Sequence, residues 1–114
     1  MNSCLFCSII KGDVKGDIVY QDESVVAFRD INPKAPVHIL IVPRKHIATL
    51  LDLEQGDKGL MGDIFYAATR LAKDKGISED GFRVVLNCGP GAGQSVYHIH
   101  IHLLGGRPLT WPPG

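Results

Sequence analysis

The stretch His98-Ile99-His100-Ile101-His102-Leu103-Leu104 decides how this chain is read. In a β-strand successive side chains point to opposite faces, so residues two apart share a face. The spelling predicts a last strand over 98–104 with three imidazoles in one row, roughly 6 to 7 Å apart. Ile99, Ile101 and Leu103 would then point the other way, into a core. A helix would scatter the three rings around its surface. The chain has five histidines, and three of them fall within residues 98–102.

Three readings of the row compete. A solvated strand face is one, although Thr, Lys or Glu would serve it equally well. A metal site is the second, since imidazoles two apart on a strand can chelate zinc with help from elsewhere. Covalent catalysis is the third. Histidine, with an unperturbed pKa of about 6.5, is neutral and nucleophilic near neutral pH. One ring can attack a phosphate while its neighbours donate hydrogen bonds to the oxygens.

The rest of the chain narrows the class. A length of 114 residues implies one domain, residues 1–114, with 107–114 as a C-terminal arm. Such a chain buries roughly two-thirds of its unfolded surface. Twelve basic and twelve acidic residues cancel, which argues against nucleic-acid and electrostatic membrane partners. No charged head followed by a long apolar run suggests a signal peptide or a membrane span. Cys4, Cys7 and Cys88 make an odd, small count, which points to a reducing cytoplasm. The tail Pro108-Leu109-Thr110-Trp111-Pro112-Pro113-Gly114 reads as a stiff arm that places a ring.

Local signals predict an α+β layer fold. A short helix over Cys4 to Lys11 would be capped by Ser3 and Gly12, with Leu5, Phe6, Ile9 and Ile10 as its apolar face. Ile18–Asp22 and Val25–Arg29 flank turn residues and read as a hairpin. Two prolines make 30–36 a loop. Val37–Val42, closed by Pro43, reads as a central strand. A helical turn within His46–Leu53 precedes a long helix from Glu54 to Gly76, where Leu60, Ile64, Ala67, Ala68 and Leu71 recur at spacings of three and four. Phe82–Cys88 is a strand and Gly89–Ser95 a glycine-rich loop. About five antiparallel strands, one long helix and one short helix result.

Three further features bear on chemistry. His38, between Val37 and Ile39, could be brought to the histidine row by a neighbouring strand. The loop Asn87-Cys-Gly-Pro-Gly-Ala-Gly-Gln-Ser95 offers backbone N–H groups to an anion, but it lacks the lysine and the following helix of a Walker loop. Cys4-Leu-Phe-Cys7 is a C-x-x-C with almost nothing before it, unlike a thioredoxin-type site. Zinc would need two more ligands, with His46 and one triad histidine as candidates.

The string His98-Ile-His-Ile-His-Leu-Leu resembles the motif of the histidine triad (HIT) family of nucleotide hydrolases and transferases. Asp30-Ile-Asn-Pro-Lys-Ala-Pro-Val-His38-Ile-Leu-Ile-Val-Pro43, Gly93-Gln-Ser-Val-Tyr-His98 and Leu104-Gly-Gly-Arg with Trp111-Pro-Pro-Gly114 resemble its Hint branch. The likeness runs from Leu5 to Gly114. It implies a HIT-like fold whose sheet continues across a homodimer. It also implies a hydrolase of purine nucleoside 5′-phosphoramidates that needs no metal for its chemistry and releases an AMP- or GMP-type product.

By that resemblance His100 is the nucleophile, and the backbone carbonyl of His98 orients it. His102 and His38 stand on the phosphate side. Ser95, Gly93 and Asn87 match phosphate and ribose contacts, Gln94 sits in the same nucleotide-binding string, and Asp30 holds the ribose hydroxyls. Leu5, Phe6, Ile9, Phe28, Ile31 and Leu40 match the base pocket. Trp111 matches a ring that reaches toward the second subunit's active site. Some bacterial members of the family carry structural zinc, on ligands that would here be Cys4, Cys7, His46 and His98. Alternatives are a dinucleoside polyphosphate hydrolase or nucleotidyl transferase of the same family, a non-catalytic nucleotide-binding module, and a zinc hydrolase that uses the triad as ligands.

Overall fold

The computed structural model describes residues 4–114. Helix α1 (Leu5–Lys11) leads into strands β1 (Ile18–Gln21), β2 (Val25–Arg29) and β3 (Val37–Pro43). Short 3-10 turns at Leu50–Asp52 and Gln55–Asp57 precede helix α2 (Lys58–Asp74), and strands β4 (Phe82–Val85) and β5 (Ile101–Gly105) complete the chain. The strands form one antiparallel sheet in the order β1-β2-β3-β5-β4. The central place of β3 follows from its composition: a β-branched run buried on both faces.

Both faces of the sheet are covered, and alternation along each strand sorts residues between them. Val25, Ala27, Ile39, Ile41, Ile101 and Leu103 pack under α2 with Ile64, Ala67, Ala68 and Leu71. Val26, Phe28, Leu40 and Val42 pack on the other side against Phe6 and Ile9 of α1. Full burial of an Ile, Leu or Phe side chain contributes roughly 1.5–3 kcal/mol, so these two layers fix the register. Leu5, expected on the apolar face of α1, is about half exposed.

Several boundaries differ from the sequence expectation for physical reasons. The Ser3 cap lies outside the described residues. The N-cap observed for α1 is Cys4, whose Sγ accepts the Cys7 N–H at 3.4 Å. Gly12, at φ +86°, closes the helix as expected. The long helix begins at Lys58, because Asp57 turns its carboxylate to the Glu54 N–H and to Lys45 Nζ.

The last strand begins at Ile101, not at His98, so only His102 of the triad lies in the ladder. The strand partner that would face residue 99 is Pro43, which has no N–H to give. The Ile99 N–H bonds instead to the Ile47 carbonyl at 2.6 Å, and the Pro43 carbonyl takes the His98 ring. Strand β4 likewise stops at Val85, paired with His102, because β5 offers little ladder beyond that point. Residues 98 and 100 therefore hang from the end of the sheet, where each ring makes its own contacts.

Candidate active site and metal cluster

His100 sits beneath α1, where the Phe6 ring meets it edge-on at 5.0 Å between centroids. Its Nδ1 lies 2.8 Å from the carbonyl oxygen of His98. A carbonyl only accepts, so Nδ1 carries the hydrogen and Nε2 is the bare lone pair. Burial pushes the His100 pKa below 6.5, against the opposing pull of that carbonyl. The ring is therefore neutral, oriented and nucleophilic at neutral pH.

A second chain of hydrogen bonds fixes the remaining rings. The Lys34 backbone N–H donates to His38 Nδ1 at 3.0 Å, which leaves the hydrogen of His38 on Nε2. That N–H reaches His102 Nδ1 at 2.9 Å, with an Asp30 carboxylate oxygen at 3.4 Å. His102 then accepts at Nδ1 and keeps its own hydrogen on Nε2, free for a phosphate oxygen. Burial, followed by the neighbouring His100 and His38, pulls the His102 pKa down to about 4. Burial lowers His38 as well, although Asp30 opposes it. The trio Asp30, His38 and His102 has metal-ligand composition. It works as a hydrogen-bond relay, because His38 Nε2 has a hydrogen and no lone pair to offer.

Two cavities meet at this row. An apolar one of about 290 Å³ is lined by Leu5, Phe6, Ile9, Phe28, Ile31 and Leu40, together with Asp30, Ser95, His100 and His102. The other, of about 470 Å³, is lined by Asn87, Ser95, His38, His102 and Asp30, with Lys34, Arg83 and Arg107. The row observed is His100, His102 and His38, with ring centroids 5.1 and 5.2 Å apart, and not the His98, His100 and His102 that strand alternation predicts.

Gln94 does not line either cavity. Its buried amide accepts the Gly89 N–H at 2.8 Å and donates to the carbonyls of Ala48 and Val96. Gly93, at φ +90°, lets the loop turn there. Trp111 is exposed and lines neither cavity. Sequence reading missed Asn32 and Val96 in the apolar cavity, and Lys34, Arg83 and Arg107 in the other. Asn32, Lys34, Val96 and Arg107 lie inside the quoted strings without a role assigned to them, and Arg83 lies outside all of them.

His98 turns away from the row. Its Nε2 donates to the Pro43 carbonyl at 2.7 Å, so Nδ1 is a lone pair. Burial lowers its pKa. That lone pair faces Cys4 Sγ at 3.4 Å, Cys7 Sγ at 3.5 Å and His46 Nδ1 at 3.2 Å, and Cys7 Sγ is also 3.4 Å from His46 Nδ1. Tetrahedral zinc, with bonds of about 2.0–2.3 Å to nitrogen and sulfur, sets its donors about 3.3–3.8 Å apart. Two thiols and two ring nitrogens crowded at these separations fit such an ion. Burial raises the Cys4 thiol above its ordinary value, so a metal would have to displace its proton.

Comparison with known proteins identifies relatives of this chain. The model of the HIT domain family matches residues 11–109. A purine nucleoside phosphoramidase of Escherichia coli K12 is 49% identical over 105 residues, covering 92% of this chain and 88% of that protein. A 14 kDa zinc-binding protein of Zea mays is 51% identical over 112 residues, covering 96% of this chain and 87% of that protein. The crystal structure of a HIT family hydrolase from Legionella pneumophila Philadelphia 1 superposes with a TM-score of 0.97 at 52% identity, covering 98% of this chain and 100% of that one.

Proposed function

The chain belongs to the HIT domain family, and on that premise we propose that it hydrolyses purine nucleoside 5′-phosphoramidates through a covalent nucleotidyl-histidine. The observation that carries this reading is His100 Nδ1 bonded at 2.8 Å to the His98 carbonyl, on the wall of an apolar cavity. In the first step His100 Nε2 attacks the α-phosphorus and the phosphorus–nitrogen bond to the amine breaks. One such bond is exchanged for another, so the step need not be steeply uphill. Water then attacks the same phosphorus, and the nucleoside monophosphate leaves His100.

The nonbridging oxygens gather charge in both transition states. His102 Nε2–H and the Ser95 hydroxyl are the donors placed at the junction of the cavities, and such preorganised donors are typically worth about 3–4 kcal/mol each. The base enters among Phe6, Ile9, Phe28 and Leu40, with Asp30 near enough to hold a ribose. Steady-state release of AMP from adenosine 5′-phosphoramidate tests the reading, with His100→Gln expected to lose turnover by at least roughly a thousandfold.

Cys4, Cys7, His46 and His98 would hold a zinc ion that clips α1 to the strand ends. When bound, it supplies structural cross-linking and charge neutralisation of the thiols, while the chemistry stays with His100 and His102. The same reading makes residues 1–114 one domain, with 107–114 as an arm. It pairs two copies along the β4 edge, where Phe82 is exposed, and brings Trp111 toward the partner's site. The odd, small count of cysteines supports a cytoplasmic location. Among the described residues no helix is long and apolar enough to cross a membrane.

A further inference from the structure

We propose that Cys4 and Cys7 are an oxidative modification site, a reversible disulfide formed by hydroperoxides, whose closure shifts Phe6 against His100 and switches off the active site. Only the activity readout rests on the phosphoramidase reading; the covalent chemistry rests on the thiol cluster. Cys4, the N-cap of α1, and Cys7, in its first turn, bracket Leu5 and Phe6. Their sulfurs converge on one atom, His98 Nδ1, at 3.4 and 3.5 Å, and lie within 4.8 Å of each other. A disulfide bond is about 2.05 Å long. Reaching it takes a turn of both side chains and a tightening of the first turn of α1, where Cys4 Sγ already accepts the Cys7 N–H at 3.4 Å. The third thiol, Cys88, is outside this cluster.

The segment drawn in by that closure carries the ring that covers the nucleophile. Phe6 is buried. Its centroid lies 5.0 Å from His100, 5.2 Å from Phe28 and 6.0 Å from His98, edge-on in each case. A ring held among three such neighbours in a close-packed layer has little room to absorb a displacement. A shift in the first turn of α1 is therefore passed to the cavity wall and to His100. His98 also loses both sulfurs from its Nδ1, while its carbonyl orients His100.

The chemistry needs two thiolates and one peroxide. Cys7 is buried and Cys4 half-buried, so Cys4 meets the oxidant first. Its thiolate attacks one oxygen of hydrogen peroxide, the O–O bond breaks, and a sulfenic acid and a hydroxide form. The Cys7 thiolate then attacks the Cys4 sulfur and expels a second hydroxide. Two protons from solvent turn both hydroxides into water. The two electrons lost by the sulfurs reduce the peroxide. A zinc ion held by the cluster would lose two of its four donors and pass to solvent. A dithiol reductant reverses the exchange. Such a bond suits a reducing compartment, where disulfides are usually transient and redox-sensing.

The test treats the zinc-loaded full chain with hydrogen peroxide, then with dithiothreitol and zinc. Intact mass, peptide mapping, zinc released to a chromogenic chelator, AMP affinity, and kcat/KM on adenosine 5′-phosphoramidate are followed together. The expected result is a mass lower by two hydrogens, a Cys4–Cys7 link, released zinc, weaker AMP binding and a fall of roughly a hundredfold in kcat/KM, all reversed by the reductant with zinc. Cys88→Ser should respond in the same way, and Cys4→Ser, compared with its own untreated form, should not respond. Reduced chain stripped of zinc by a chelator should keep more activity than the disulfide form. Equal activity of those two forms overturns the inference, since metal loss alone then accounts for the effect. Oxidation that halts at sulfinic acid, a link through Cys88, or a Cys4–Cys7 disulfide with undiminished kcat/KM and AMP affinity also overturns it. No turnover by the untreated chain contradicts the phosphoramidase reading alone, and AMP affinity then decides the switch.

Discussion

The Nδ1 of His46 stands 3.2 Å from the Nδ1 of His98, although His98 has given its ring hydrogen to the Pro43 carbonyl. The same His98 offers its own carbonyl to the nucleophile His100. One residue therefore joins the thiol cluster to the reactive ring. Whatever steadies the cluster steadies the orientation of His100.

Metal removal should reveal that link. Purified protein is expected to contain about one zinc per chain. Chelation should lower the melting temperature by at least roughly 10 °C. Cys7→Ser should have the same effect and lose the metal, as measured by elemental analysis and calorimetry. A protein that melts unchanged after its metal is stripped would remove the structural role.

Acid should destabilise the fold in a defined window. The His102 pKa is depressed from 6.5 to about 4, so the unfolded chain binds its proton first. Its contribution is fully present above about pH 6.5 and is lost as pH falls toward 4. His38 shifts in the same direction. Urea midpoints should fall across this interval, and His102→Asn should flatten the fall. Neutral rings also keep the acid limb of kcat/KM below the usual histidine range. A limb centred at or above 6.5 would contradict the burial argument.

Gln94→Ala tests how the anion loop is held. The substitution leaves the Gly89 N–H and the Ala48 carbonyl without their present partner. An unsatisfied buried group costs roughly 1–3 kcal/mol. The urea midpoint should drop accordingly, with phosphoramidate KM rising as Ser95 loses its frame. A midpoint within error of the native one would show that the amide does not brace the loop.

Much of this arrangement is legible in the sequence because it depends on alternation. Ile101 and Leu103 go to the α2 side and His102 to the other, as the spelling predicts. The stripe Ile64, Ala67, Ala68 and Leu71 identifies α2 for the same reason. Cys4, Cys7 and His46 could be grouped by residue chemistry alone. The start of β5 could not be read, because it depends on Pro43 lacking an N–H and on Ile47 offering a carbonyl, neither of which is local to His98. The ring tautomers were hidden for a similar reason: the Lys34 N–H and the His98 carbonyl are backbone groups that every residue has. Neither Arg83 nor Arg107 was assigned a role from the sequence, because it is β4 and the C-terminal segment that bring them to one cavity with Lys34.

The most direct test is to mix the protein briefly with adenosine 5′-phosphoramidate, quench it, and weigh the intact chain. The account predicts one added adenylyl group, mapped by fragmentation to His100 and absent from His100→Ala. Full turnover with no adduct at any quench time, or an adduct on another residue that persists in His100→Ala, would contradict it.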